Sequence, residues 1–266
     1  MRYFLTNDRI KVEIDSFGAE IKSVINRNNM REYMWYGDPK FWGRTSPVLF
    51  PFVGSLKDKK YSWNGVEYPM GQHGFARDNE FDLIRQTDDE IWFSFKSNEA
   101  TLAKYPFEFE LQIGYKIVSK NETDDVSVMW KVLNPASETM YFSIGAHPAF
   151  LCPFHGYDRG KNNCKTGYKL FFEGTDTIHH HGNDVAKGLA IREDIEMPLD
   201  NGYVTITDTR RSRQSFSTAA PIWLRAGRPI ASASRTKKES ISWMYVLIRR
   251  YLLSGRLKRK MPPSSA

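Results

Sequence analysis

Residues 107–118, FEFELQIGYKIV, place apolar side chains at every odd position from Phe107 to Ile117 and polar or small ones between them. In an extended chain successive side chains point to opposite faces, so a period of two describes a strand that buries one face. Residues 124–133, DDVSVMWKVL, continue the pattern with Val126, Val128, Trp130 and Val132. Working outward, DDEIWFSFKSN (88–98), KKYSWNGVEYPM (59–70), RYFLT (2–6) and IKVEI (10–14) read as further strands, with Asp, Asn or Pro at the breaks. The stretch GAEIKSVINRNNMREYMWYG (18–37) reads as a strand, an Asn-rich turn and an aromatic strand. Asn64-Gly65 lies between alternating apolar positions, a strong hairpin signal. One segment breaks the period. SNEATLAKYPF (97–107) fits a helical turn or two, capped by Ser97 or Asn98 and ended before Pro106. Many short antiparallel strands with hardly any helix imply an all-β sandwich of large size, each sheet with one wet face.

The composition bounds the rest. The 266 residues are 41% hydrophobic and can bury a substantial core. No stretch near the N-terminus is apolar enough for a signal peptide or a membrane span, so the expectation is a cytoplasmic protein with no membrane partner. Cys152 and Cys164 are too few for a disulfide framework and lack the paired spacing of a zinc site, so both are expected as free thiols. The net charge of +7 is unevenly distributed. Residues 208–266 carry 14 of the 38 Lys and Arg and 2 of the 31 Asp and Glu, whereas residues 1–207 are net acidic. Bulk basicity therefore describes a tail, and the division is a β domain over 1–207 and a basic tail over 208–266.

Six histidines are the first candidates for chemistry: His73, His147, His155 and the run His179 to His181. His73 stands in MGQHGFARDNEF and His147 in SIGAHPAFLCP, where a His-Pro step at a strand end fixes the backbone around an imidazole. Either histidine reads equally as a hydrogen-bonding residue of a turn or core. The triple histidine is read as a polar loop at a pocket rim, because adjacent side chains of an extended chain cannot converge on one ion. No metal is expected there. Arg44, Lys57, Arg77 and His73 are interleaved with Trp42, Phe50, Phe52, Trp63 and Phe75. Aromatic faces with a few fixed donors suit a sugar ring, and they equally suit a sandwich core with basic residues outside.

Four ordered motifs, GAEIKSV (18–24), RTSPVLFPFVGSLKDKKYSWNGVEY (44–68), QHGFARDNEF (72–81) and IGAHPAF (144–150), resemble the aldose 1-epimerase (galactose mutarotase) family, in particular its LacX-like branch. The likeness runs from about residue 1 to residue 207. It implies an antiparallel β-supersandwich, here with its C-terminal strands missing or replaced. It further implies an isomerase that interconverts the α and β anomers of a free monosaccharide by acid/base ring opening, without cofactor or metal. By the same resemblance His147 is the acid at the ring oxygen, His73 binds substrate beside it, and Arg44 and Arg77 contact hydroxyls, with Phe75 as a further substrate contact. Where many relatives place Arg after FPFVG this chain has Ser55. The family's base is a glutamate in a motif like EPW, which is absent; the acid beyond Asp208 is Glu239, in TKKESISW.

The tail is read as out-of-frame coding sequence. Read from the third base of each codon, SFSTAAPIWLRAGR (215–228) permits VFDSGSYLVEGR, and RRYLLSGR (249–256) permits PIFAVWS, both strand-like. Lost strands would leave open sheet edges, which limit solubility and order after residue 207. The rival readings are a non-catalytic carbohydrate-binding protein and a polyanion binder acting through LIRRYLLSGRLKRK (247–260). With the basicity confined to the tail, no nucleic-acid partner is expected of the body. Lys57, Lys59 and Lys60 would be the loop cations for a phosphorylated hexose, or a solvated turn.

Overall fold

The computed structural model describes residues 1–121, 123–151, 169–172, 174–184, 189–205 and 240–244. Cys152, His155, Cys164 and all of the tail except residues 240–244 lie outside them. The first sheet is an antiparallel meander of β1 (Arg2–Thr6), β2 (Ile10–Asp15), β3 (Glu20–Asn26) and β4 (Arg31–Glu32). After β5 (Val48–Leu49), the expected hairpin forms from β6 (Lys60–Trp63) and β7 (Val66–Pro69), with Asn64 and Gly65 both at positive φ in the turn. The second sheet contains β8 (Asp82–Gln86), β9 (Glu90–Lys96), β10 (Glu110–Lys120) and β11 (Thr123–Leu133).

Residues 110–118 of the alternating stretch lie in β10, and the alternation is realised in the structure. Leu111, Ile113, Tyr115 and Ile117 are buried, and the residues between them, apart from Gly114, are half-buried. These side chains join Leu5, Val12, Ile14 and Val24 of the first sheet in one apolar cluster. That cluster is the interior of a β-sandwich. Tyr3 and Phe93 meet edge to face at 5.2 Å across it, and the Tyr115 hydroxyl donates to the Ala19 carbonyl at 2.5 Å. At the open end of the layers, Arg9 donates to both carboxylate oxygens of Asp124 at 2.7 Å.

Four sequence expectations need correction. The aromatic strand after the Asn-rich turn is only Arg31–Glu32, because Met34 turns away to bridge Phe150. The histidine run is part of strand β14 (Thr177–Asp184), paired with β15 (Leu189–Pro198), and is not a loop. The alternating segment before His147 forms only β12 (Gly145–Ala146), which pairs with β5. Finally, β11 has no wet face over Asp125–Trp130, where Asp125, Ser127 and Met129 are buried too. A short pair joins β13 (Lys169–Phe171) to β16 (Tyr203–Thr205), and β17 (Ser240–Met244) docks antiparallel on β11. The β11 edge expected to stand open is therefore taken by the tail over Val128–Val132. The helical turn is α1 (Glu99–Leu102), with Asn98 as N-cap in a capping box with Thr101. Among the described residues no helix is long and apolar enough to cross a membrane.

Candidate active site

Three segments meet around the chain that leaves β5. On one side the pairing of β5 with β12 is extended by backbone bonds from His147 to the Pro47 carbonyl (3.1 Å) and from Ser143 to the Pro51 carbonyl (2.8 Å). On the other side the Phe50 carbonyl accepts the amides of Phe75 (2.9 Å) and Ala76 (3.1 Å). This close approach requires Gly74, at φ +70°, since a Cβ there would lie 2.2 Å from the Phe50 oxygen. His73, also at positive φ, is locked to Gly54 in both directions. Its amide donates to the Gly54 carbonyl at 2.8 Å, and the Gly54 amide donates to its Nδ1 at 2.9 Å. The result is that His73 and His147, 74 positions apart in sequence, stand with ring centroids 4.8 Å apart and planes at 86°.

The electrostatics favour neutral rings. His73 is buried, and burial, then the neighbouring His147, Arg77 and Arg44, lower its pKa to about 3. A backbone amide can only donate, so Nδ1 of His73 is unprotonated and Nε2 carries the hydrogen. Burial also lowers the pKa of His147, with a backbone bond at Ala146 opposing it and the Arg77 charge reinforcing it. Nε2 of His147 is buried without a hydrogen-bond partner among the described residues, as is Nε of Arg77. Arg77 donates to the Gln72 carbonyl at 2.9 Å, and Arg44 donates to the Arg77 carbonyl at 3.2 Å and to Asp78 at 2.5 Å. Burial and Arg44 lower the Arg77 pKa, opposed by Asp78 and Glu20. A guanidinium nevertheless stays charged at neutral pH.

His73, His147, Arg44 and Arg77 are thus brought together, and Phe75 is not with them. The Phe75 ring packs against Phe95, Tyr105 and Phe109 in the core, and Phe50 is fully buried beside them. Phe52 and Trp63 instead line an aromatic cavity of about 350 Å³ with Tyr61, Tyr105, Phe107 and Tyr141. Lys57 and Lys59 lie in an exposed 3-10 turn, and Lys60 pairs with Glu67 at 2.9 Å. His179 lies 3.2 Å from Asp194 on the surface, and no cluster of three or more metal-binding side chains occurs among the described residues. Gly54, Asp78 and Glu20 were not singled out by the sequence as parts of a site. Glu20 accepts the amides of Thr45 and Ser46, both at 2.7 Å, and only its place in the first motif hinted at a role.

A β-sandwich that carries two such histidines on ordered loops belongs to a recognisable class. The chain matches the family model described as aldose 1-epimerase over residues 1–221, and it belongs to that family. It is similar to the plasmid-encoded protein LacX of Lactococcus lactis subsp. lactis, at 34% identity over 155 residues, covering 56% of this chain and 50% of that one. The chain spans about half the length of the curated relatives it matches. Among solved structures it is similar to a galactose mutarotase related enzyme from Lactobacillus acidophilus, at 34% identity with a TM-score of 0.68, covering 78% of this chain and 66% of that one. A galactose mutarotase-like protein from Lactobacillus casei is 29% identical with a TM-score of 0.66, covering 78% of this chain and 68% of that one.

Proposed function

We propose that this chain is built to interconvert the anomers of a free hexose, and that its catalytic set is incomplete. The observation that carries the reading is the crossed pair His73 and His147 beside two guanidinium groups. Mutarotation needs a proton delivered to the ring oxygen while another leaves the anomeric hydroxyl, so an acid and a base must flank the sugar. His73, fixed as the Nε2–H tautomer and kept uncharged, donates to a sugar oxygen without exchanging its proton. His147, with its unpartnered Nε2, serves the ring oxygen: as the imidazolium it delivers a proton there on opening and is left neutral, and it takes the proton back on closure, while Arg44 and Arg77 hold hydroxyls. No EPW-like motif occurs in the sequence, and among the described residues no carboxylate hydrogen-bonds either imidazole; we read the base as lost with the C-terminal strands. It belongs to coding sequence that is read here in another frame as the basic tail. A cytoplasmic location goes with this reading.

The test is polarimetry of freshly dissolved α-D-galactose and α-D-glucose. A missing base removes about 10²–10⁴ of rate, so the chain as it stands accelerates mutarotation weakly and His147→Ala abolishes that remainder. Restoring the frame recovers the lost factor. The absence of the base favours one second reading, a sugar-binding protein without catalysis. It requires saturable sugar binding with a mutarotation rate equal to the buffer's, with and without the restored frame.

A further inference from the structure

Glu20 is a buried carboxylate that takes no part in the proton chemistry. It opens β3 and is 2% exposed, a location where an unpaired charge would be strongly disfavoured. The bonds to one of its two oxygens lead towards the site. Its Oε1 accepts the successive amides of Thr45 and Ser46, and its Oε2 pairs with Lys22 at 2.7 Å. The segment it grips has Arg44 immediately before it, and the Thr45 and Pro47 carbonyls accept the amides of Ala149 and His147. The turn that precedes Glu20 is equally engaged. The Gly18 amide donates to the Asn79 carbonyl at 2.7 Å, and the Gly18 backbone packs against the Arg77 carbonyl. One short stretch, Gly18 to Glu20, therefore fixes the segment that carries Arg44 and braces His147, together with the segment that carries Arg77.

We infer that Glu20 is a positioning residue for the candidate site, acting through the Thr45–Ser46 amides to set Arg44 and His147 in register with His73. The inference rests on the sugar reading for its purpose and on the geometry alone for its mechanism. A carboxylate suits the task because one oxygen must accept two amides while the other faces an ammonium, and charge-assisted bonds are the shorter and stronger kind. An amide side chain reproduces the first half and loses the second.

The experiment uses the full chain with ¹⁵N-labelled histidine and tryptophan and compares Glu20→Ala, Glu20→Gln and Lys22→Ala. Two quantities are read: the imidazole nitrogen signals of His73 and His147, and the dissociation constant for D-galactose from the same titration. The expected result is that Glu20→Ala displaces the His147 signals and weakens galactose at least tenfold. Glu20→Gln should return both to within about threefold of the parent, because its oxygen still accepts the two amides. Lys22→Ala should leave both unchanged. The Trp92 indole signal, on β9 away from the site, should stay fixed throughout and so separates local displacement from loss of fold. Unmoved imidazole signals in Glu20→Ala overturn the inference, as does a Glu20→Gln protein that resembles Glu20→Ala. Should Glu20→Ala fail to fold, Glu20→Gln against Glu20→Asp decides the matter, since the shorter carboxylate cannot reach the amides without moving the segment. If the parent binds no galactose, the sugar reading falls, and the imidazole signals still answer the positioning question.

Discussion

His73 is a histidine made to behave as a fixed donor. Burial and three cationic or imidazole neighbours hold its pKa near 3, against about 6.5 for an ordinary histidine, so the folded state resists its protonation. The sign follows from linkage. The unfolded chain binds this proton and the folded chain does not, so the stability is intact above about pH 6.5 and is lost as pH falls towards 3. One such group gives a slope of about 1.4 kcal/mol per pH unit inside that window, and His147 adds to it in the same direction. Urea midpoints at pH 7, 6, 5 and 4 should therefore decline from the first step below neutrality, with a shallower decline throughout in His73→Asn. A profile flat between pH 6 and 4 would show that His73 protonates freely in the folded protein.

At the level of elements, the two sheets are tied where Arg9, in the turn between β1 and β2, grips Asp124 at the start of β11. Asp124 also accepts from Asn7 at 3.1 Å and Ser119 at 2.7 Å, and its side chain is 2% exposed. Its burial would raise the carboxyl pKa, but the bonds from Arg9, Ser119 and Asn7 prevail and hold it below the usual range. Asp124→Ala removes the carboxylate from the guanidinium and leaves it the Asn121 and Thr123 carbonyls, with an expected loss of about 2–4 kcal/mol, read as a lower urea midpoint at unchanged slope. A loss under about 0.5 kcal/mol would instead place this pair with ordinary solvated ones. The strands themselves were legible because period two is a property of neighbours in sequence, as β10 and the Asn64-Gly65 hairpin illustrate. The histidine strand was misread because a run of identical polar residues has no period. In the site, His73 and His147 were legible from ordered motifs. Gly54 and Glu20 were not, because Gly54 donates its own amide to a ring 19 positions away and Glu20 accepts an amide 25 positions away, and backbone atoms carry no residue-type signal. Phe75 was placed at the sugar because a core aromatic and a binding aromatic look alike in sequence.

For the whole molecule the decisive observation is at the nucleotide level. In the frame that turns residues 249–256 into PIFAVWS, residues 256–266, RLKRKMPPSSA, permit PEKEDAPFLC, in which a basic run becomes an acidic one. The gene read across codons 200 to 266 should show this continuation, and a gene whose codons forbid it leaves the basic tail as the protein's own. The docking of β17 on β11 then describes how an unrelated segment satisfies a vacant sheet edge. One feature of the sandwich also bears on how the chain is made. The first sheet shares one apolar cluster with residues of β9, β10 and β11, and the bond from Tyr115 to Ala19 spans 96 positions. At about 5–20 residues per second, a ribosome leaves β1 to β4 without these strands for roughly 5–20 s after they emerge, an interval in which their apolar face is open to aggregation.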